Sequence, residues 1–567
     1  MEEMEIISRL GRRSAVAACI VLSACAVGPS GASAGIPLHD QAYGAFLAAR
    51  YAVSRQDSAA AAQYYALGLR ADPGNPGMVS EGFLAALLAG SPEARTLAAQ
   101  LPGNQLATML QGNQAALDGD FAKAGQVFAT LPQDDLAGLV KPLLRAWASF
   151  GQGNAQVALS LLTPNFNNGP FSSVYILNAA LIADAAHDDK DAAQFYGDVL
   201  SSAPDLRLAQ ILASWDARRG ERGLAQAQFD TLAATHPNLR IAIPALRARM
   251  DQPVIHTATQ GMAEAYLTLA GALNQPSQRF LRMTLLRFAL QLRPDLTPAR
   301  LMLAGAQAGG DTPQATPTQV QMHNALDTLA PVTPRDPLYA PVAVQEANLL
   351  ATLNRPAEAI ALLDKVIALV PPDAGVFADA GDILRNAGQN SDAIRYYDKA
   401  IAIFGANPPA VAWALYFDRG ICEDALNNWA AAEPDLLRAL ALSPNQPYVL
   451  NYLGYSWAVR GEKLDQAKAM LQQAVGLDPN DGAIIDSLGF VTLRQGDTAT
   501  ALDLLIQAVE LDPNNAEVNA HLGDAFWQAG QKLQADYQWH RALSLQPDAK
   551  LKAQIASELQ GNFPAQP

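Results

Sequence analysis

Proline recurs near the C-terminus of this chain at an almost constant interval, and this regularity constrains the fold more than any other feature. Its turns follow one another at intervals of 35, 34 and 34 residues: Ser443-Pro444-Asn445, Asp478-Pro479-Asn480, Asp512-Pro513-Asn514 and Gln546-Pro547-Asp548. A period near 34 that closes on proline is typical of solenoids, in which each helical hairpin buries its apolar face only against its neighbours. The spacing therefore predicts an all-α superhelix rather than a single globular core.

Small residues keep the same register through most of the chain. Glycine, or asparagine in its place, falls where a left-handed residue would stop the first helix of a hairpin: Gly119, Gly153, Gly220, Asn354, Gly388, Asn427, Gly461, Gly496 and Gly530. Alanine falls where the two helices of a hairpin would approach most closely: Ala61, Ala124, Ala158, Ala192, Ala225, Ala359, Ala393 and Ala432. Unit starts follow at 42, 105, 139, 173, 206, 263, 300, 340, 374, 413, 447, 482 and 516. We therefore expect about thirteen hairpins.

Two stretches interrupt this array. Residues 238–262 lack a clean hairpin pattern, and residues 309–341 are rich in proline, which favours a linker or surface loop. The sequence thus divides into a signal peptide at 1–24, a flexible tether at 25–41, a divergent N-terminal array at 42–237, an irregular connector at 238–262, middle helical hairpins at 263–331, a linker at 332–339, a C-terminal array at 340–548, and a cap helix with tail at 549–567.

The last units carry a recognisable motif. In the unit that begins at Ala516, a Leu-Gly pair, an aromatic residue, a small residue and a closing proline stand at Leu522, Gly523, Phe526, Ala535 and Pro547. This order resembles the tetratricopeptide repeat (TPR), and the C-terminal third looks like the final repeats of exported bacterial TPR lipoproteins. The more degenerate N-terminal half fits divergent TPRs, with a generic alanine-rich helical array as the alternative.

The resemblance also implies a binding surface. In TPR arrays the first helix of each hairpin lines the concave side, and its second, fifth, ninth and twelfth positions face the groove. These positions, with one thirteenth-position arginine, select eight candidate residues for a protein-binding groove: Tyr448, Asn451, Tyr455, Asp486, Phe490, Arg494, Asp524 and Trp527. Aromatic anchors beside carboxylates suit an extended peptide with apolar and basic side chains. Alternatively, the aromatic residues pack between hairpins and the carboxylates form a solvated face.

The N-terminus has the pattern of an export signal. Arginines at 9, 12 and 13 precede an apolar run at 15–24, which is too short to cross a bilayer. The following Leu22-Ser23-Ala24-Cys25 resembles the bacterial lipobox, in which Cys25 would be lipidated and become the mature N-terminus. In that family the residue after the cysteine directs sorting, and Ala26 implies the outer membrane, facing the periplasm.

Two other outcomes remain for this segment. Cleavage after Ala34 would release a soluble periplasmic protein, and an uncleaved signal would leave the segment in place. Whether the chain is a lipoprotein or is cleaved after Ala34, the glycine-rich and proline-rich residues that follow Cys25 would form a flexible tether.

Charge and motif content narrow the function. The net charge is −15, so we expect no nucleic-acid partner, because phosphate binding needs a basic surface. The zinc-protease motif, the phosphate loop and the nucleophile elbow do not occur in the sequence. Cys422, which stands alone in the array, fits a small buried thiol. We therefore expect no catalytic residue, no cofactor, no metal ion and no small-molecule substrate.

These observations favour a non-catalytic periplasmic scaffold that binds protein or peptide partners, is held at the membrane by a lipid anchor and acts in envelope assembly. The runner-up is a TPR component of a polysaccharide or envelope export machine. An enzyme is a distant third.

Overall fold

The computed structural model describes residues 38–167, 169–199, 205–309 and 317–561 of the chain. Within these ranges the secondary structure is helical and includes no strand, so the predicted all-α fold is confirmed. The predicted signal peptide, Cys25 and nearly all of the tether lie outside the described residues. Helix Leu38–Ser54 includes the last four residues, 38–41, of the predicted tether.

Six hairpins form what we call the N-terminal array. Their helices are Leu38–Ser54 and Ser58–Ala71, Pro76–Ala89 and Glu93–Ala98, Gln105–Leu117 and Phe121–Ala129, Asp135–Gly151 and Ala155–Leu162, Ser172–Ala185 and Asp189–Val199, and Leu206–Arg218 and Arg222–Thr235. The second of these hairpins is missing from the predicted unit starts. Its second helix has only six residues, so the hairpin breaks the period by which the others are recognised.

The middle of the chain forms two further hairpins. Their helices are Ala258–Ala272 and Arg279–Leu292, then Thr297–Gln307 and Gln319–Leu329. The predicted connector at 238–262 is more ordered than its sequence indicates, since it holds helix Ile243–Arg247 and the start of helix Ala258–Ala272. Thr257 starts that helix five residues early, because its hydroxyl accepts a hydrogen bond from the Gln260 amide (3.2 Å).

The C-terminal array has six hairpins and a closing helix, which we call the cap helix. The helices are Tyr339–Thr352 and Pro356–Leu369, Ala374–Asn386 and Asn390–Phe404, Trp413–Ala425 and Trp429–Leu442, Pro447–Arg460 and Leu464–Leu477, Gly482–Arg494 and Thr498–Leu511, Ala516–Gln528 and Lys532–Ser544, and the cap helix Ala549–Leu559. Short 3-10 turns occur at Thr163–Asn165, Gly169–Phe171, Pro237–Ala242, Pro276–Gln278 and Ala410–Ala412. The described chain therefore contains fourteen hairpins, one more than the predicted thirteen.

The small residues of the repeat lie where the sequence predicts. All nine predicted turn residues have positive φ, between 58° and 85°, and all eight predicted alanines are fully buried. Glycine is also needed at the closest helix approach, because a Cβ on Gly489 would lie 2.7 Å from Leu505 Cγ. Local backbone geometry thus explains the register of the repeat.

The hairpin Ala258–Ala272/Arg279–Leu292, which we call the inserted hairpin, packs against first helices of the N-terminal array. Its first helix contacts helices Asp135–Gly151 and Ser172–Ala185, and its second contacts Pro76–Ala89 and Gln105–Leu117. Gly261 permits the approach, since a Cβ there would lie 2.2 Å from the Trp147 ring. The inner face of the second to fifth hairpins of the N-terminal array is thus covered by a segment of the same chain.

Polar groups on that inner face are satisfied by the inserted hairpin. The Tyr266 hydroxyl donates to Asn113 Oδ1 (3.1 Å), and Asn178 Nδ2 donates to Thr268 Oγ1 (3.3 Å). Both asparagines are fully buried. Because a buried amide without a partner costs free energy, these contacts fix the position of the hairpin as well as stabilise it.

Candidate functional site: the inner face of the C-terminal array

The last three hairpins expose their first helices on the inner side of the array. Helix Gly482–Arg494 contacts the first helices of both neighbours, Pro447–Arg460 and Ala516–Gln528, so these three form a continuous inner layer. Side-chain caps start the second and third of them. Asp481 accepts from the Ala483 amide (2.9 Å), and Asn515 accepts from the Glu517 amide (3.1 Å).

Helical geometry decides which side chains reach the surface of this layer. Positions seven and eleven residues apart lie on one stripe, since a helix turns once in about 3.6 residues. The second, ninth and thirteenth positions therefore share a face, and the second-position Tyr448 is 54% exposed. The fifth position is turned toward the next hairpin, where Asp486 is only 4% exposed.

His521 is the centre of a buried polar cluster on this inner face. Its Nδ1 lies 2.8 Å from Asp486 Oδ2, and its ring lies 4.6 Å from the Phe490 ring, centroid to centroid. The Tyr455 ring packs 5.4 Å from Phe490, and its hydroxyl donates to Glu517. Three successive hairpins are thus linked through one aromatic and charged contact network.

The charges of this cluster keep His521 protonated. Burial opposes the charged imidazolium, but the carboxylates of Asp486, Glu517 and Asp524, together with the hydrogen bond to Asp486, outweigh it and raise the pKa of His521 to about 9. The histidine is therefore a cation at neutral pH, enclosed by acidic side chains.

A second acidic contact lies at the end of the array. Asp524 Oδ1 accepts from Trp539 Nε1 (2.9 Å) within its own hairpin, and it faces Glu558 of the cap helix. Burial first, and then the neighbouring carboxyl charge of Glu558, raise the pKa of Asp524. Burial likewise raises the pKa of Glu558. The cap helix thus closes the array over a carboxyl pair that does not readily carry two charges.

The eight predicted groove residues separate into two groups. Tyr455, Asp486, Phe490 and Asp524 come together around His521. The others lie at the edges: Tyr448 is exposed, Asn451 and Arg494 are half-buried, and Trp527 packs against the Trp539 ring (5.8 Å).

The predicted exposure of the Asp486 carboxylate is wrong, and the Asp524 carboxylate is only partly exposed. Asp486 is buried against His521, and Asp524 is half-buried with its oxygen taken by the Trp539 indole. Both have a structural partner that the repeat itself supplies. Whether any of the eight residues contacts a partner protein stays a prediction.

Sequence reasoning did not single out His521 and Glu558. A signal for the first was present, because Asp486 and His521 are 35 residues apart, about one repeat, which places them on facing first helices. No comparable signal exists for Glu558, since the cap helix lies outside the repeat.

Comparison with known families identifies the repeat. A tetratricopeptide-repeat model matches residues 344–408, 378–447 and 417–482, and a TPR-repeat model matches residues 491–530. Residues 344–482 and 491–530 of this chain are therefore similar to TPR repeats. The matching models describe repeats and indicate no enzyme family. They cover the part of the chain in which the Leu-Gly motif is clearest.

Curated relatives match this chain over part of their length. A TPR repeat-containing protein of Pseudomonas aeruginosa is 30% identical over 201 residues, which is 35% of this chain and 33% of the relative. Tetratricopeptide repeat protein 13 of Homo sapiens is 32% identical over 116 residues, 20% of this chain and 13% of the relative. The matched segments therefore span a third or less of these proteins.

Solved structures with helical repeats align at low identity. The APC/C assembly Cut9–Hcn1 aligns with 91% of this chain and 96% of its own at 16% identity, with a TM-score of 0.37. YrrB, described as a TPR protein with an unusual peptide-binding site, aligns with 31% of this chain and 88% of its own at 22% identity, with a TM-score of 0.27.

In the part of the chain that the structure describes, no helix is both long and apolar enough to cross a membrane. Histidine, cysteine, aspartate and glutamate side chains form no group of three or more that could hold a metal ion in those same ranges. Cys422 is buried with a free thiol, and burial raises its pKa to about 11.

Proposed function

We propose that the C-terminal array is a protein-binding scaffold that holds an extended peptide segment of its partner along the inner face of hairpins 447–544. The contrast with the N-terminal array carries the proposal. There the inserted hairpin covers the inner face, whereas helix Gly482–Arg494 contacts its own hairpin partner and its immediate neighbours. Within the described residues, the inner face around helix Gly482–Arg494 is therefore left open by the rest of the chain, which supports its use by a partner.

The chemistry of this face suits a segment with apolar and basic side chains. Tyr448 offers an exposed ring, Tyr455 and Phe490 offer partly exposed ones, and Glu517 offers an exposed carboxylate. Tyrosine often dominates interface energies because it buries a large rigid surface and keeps a polar tip. The overall charge of −15 favours encounter with a basic partner.

A site-specific photo-crosslinker tests this proposal. A crosslinking amino acid at Tyr448 should trap a partner in cells, whereas the same group at Tyr537, which is 70% exposed on the second helix of the last hairpin, should not. Peptides scanned from the trapped protein should bind the wild type and lose about tenfold in affinity or more with Tyr448→Ala and Glu517→Gln. Equal crosslinking at Tyr537, or equal affinity of the variants, would contradict the groove assignment.

We further propose that this scaffold is exported and anchored to the outer membrane, facing the periplasm, where it acts in envelope assembly. The arginines at 9, 12 and 13, the apolar run at 15–24 and the lipobox-like residues before Cys25 support this. Labelled fatty acid should enter the wild type, and Cys25→Ser should remove the label and release the protein from membranes, since stable anchoring takes two acyl chains or more. A wild type that is never labelled but loses residues 1–34 would establish soluble export instead.

A further inference from the structure

A cavity of about 680 Å³ lies at the end of the N-terminal array that the inserted hairpin leaves open. Its walls come from the first two hairpins and from the middle hairpins. The ninth-position residues Arg50 and Leu84 line it, although the ninth positions of the next four units are buried. A volume of this size is typical of sites for small organic ligands.

Positive charge dominates the lining of this cavity, although the chain as a whole is strongly acidic. Four arginines and two carboxylates line it: Arg50, Arg279, Arg287, Arg300, Glu81 and Asp327. One carboxylate is already engaged, because Glu81 pairs with Arg50 (2.9 Å) and accepts from the Tyr65 hydroxyl.

The remaining three arginines donate to backbone carbonyls rather than to carboxylates. Each reaches a carbonyl in the last turn of a helix: Arg279 Nε to Ala306 O (2.7 Å), Arg287 Nε to Leu88 O (2.6 Å) and Arg300 Nη1 to Thr328 O (2.8 Å). Helix C-termini carry only a partial negative charge, so these contacts orient the guanidinium groups without neutralising them.

Arg287 and Arg300 line two cavities at once. Both line the 680 Å³ cavity and also a neighbouring cavity of about 350 Å³, so they form part of the boundary between the two. Burial, and then repulsion from Arg300, lower the pKa of Arg287 to about 10. The negative charge of an anion beside this pair would offset both effects on Arg287.

The lining also includes the apolar residues Val53, Leu84, Leu88, Phe280 and Met283. We propose that this cavity binds a small amphiphilic anion, with a carboxylate or phosphate head against Arg287 and Arg300 and an apolar body against these apolar residues. This ligand class differs from the protein partners of the C-terminal array and from the sequence-based expectation that the chain takes no small molecule.

The test is calorimetric titration of the full chain with dodecanoate and with dodecyl phosphate below their micelle concentrations, and with neutral dodecyl maltoside as the uncharged probe. We expect saturable binding of at least one of the two anions and no binding of the maltoside. The anion that binds with the higher affinity identifies the preferred head group. Arg287→Gln should weaken binding about tenfold or more.

Two further variants make the result decisive. Arg282→Gln is the matched control, because Arg282 lies on the same helix, donates to the Leu273 carbonyl (3.3 Å) and does not line the cavity; it should bind like the wild type. Leu84→Trp keeps every arginine but fills the cavity, so it should abolish binding, and it decides the question if Arg287→Gln fails to fold. Absence of binding by the wild type, equal binding of dodecyl maltoside, or equal losses in Arg282→Gln and Arg287→Gln would overturn the proposal.

Discussion

The two arrays use the same repeat position in opposite ways. In the N-terminal array the ninth residues Asn113 and Trp147 are fully buried beneath the inserted hairpin. In the C-terminal array the ninth residues Tyr455, Phe490 and Asp524 are half-buried and partly accessible. The same inner face of the repeat is therefore a closed core where the inserted hairpin covers it. It is a candidate binding surface where no segment of the chain covers it.

The difference is visible in the chemistry of the two faces. The covered face satisfies its polar groups internally, as in the buried ion pair between Arg207 on the array and Glu264 on the inserted hairpin (2.8 Å). The open face retains an exposed tyrosine and an exposed glutamate, Tyr448 and Glu517. This contrast between a covered and an open face has measurable consequences for stability and binding.

Removing the buried charge that fastens the inserted hairpin should give the largest loss of stability. Glu264→Gln leaves Arg207 charged and buried without its counterion, which should cost about 3–5 kcal/mol of unfolding free energy. The urea concentration at the midpoint of the first unfolding transition measures this loss of stability. Glu358→Gln, which breaks the exposed Arg355–Glu358 pair, is the matched control and should leave that midpoint unchanged. Equal shifts in both variants would mean that the hairpin is not fastened by this pair.

The C-terminal array should lose stability as the pH rises. The pKa of His521 is raised to about 9 in the folded state, so its contribution is complete below the unfolded value near 6.5 and is lost between there and about 9. The full difference is at most about 3 kcal/mol. The raised pKa values of Asp524 and Glu558 act in the same direction at lower pH.

Melting temperatures of the wild type and His521→Gln from pH 6 to pH 10 measure this effect. The glutamine variant should show a flatter decline, because it retains a donor for Asp486 but cannot lose a proton. His540→Gln changes an exposed histidine and serves as the control. Parallel curves for wild type and His521→Gln would rule out the charged cluster.

Gly489→Leu should destabilise one hairpin of the open array and its neighbours. The new side chain meets Leu505, and overpacking costs about 1–3 kcal/mol. Gly476→Ala is the control, since a Cβ there meets nothing within 4 Å, and it should stabilise the helix by up to about 1 kcal/mol. An unchanged melting temperature in Gly489→Leu would show that the two helices do not approach closely.

Tyr448→Ala should change stability least, within about 0.5 kcal/mol, because the side chain is mostly exposed. The same variant should nevertheless lose affinity for a crosslinked partner peptide. A large fall in melting temperature would instead show that Tyr448 packs within the array. Tyr448 would then not represent the open inner face.

The repeat could be predicted from sequence because it depends on local backbone conformation. Gly496 and Asn427 end their helices because glycine and asparagine accept positive φ, and Ala501 is fully buried within its own hairpin. The inserted hairpin could not be predicted, since its residues read as one more unit and its contacts join residues far apart, as Asn113 and Tyr266 are. Side-chain direction was the other limit: Asp486 at the fifth position turns toward His521 rather than into the groove.

Hydroxyl-radical footprinting of the intact chain distinguishes the covered inner face from the open one, because it reports on both faces in one sample. We expect rapid oxidation of Tyr448, with Trp147 and Tyr266 protected to background, since these two rings are fully buried beneath or within the inserted hairpin. Oxidation of Trp147 and Tyr266 at a rate close to that of Tyr448 would show that the inserted hairpin does not cover the N-terminal array, and would contradict the account.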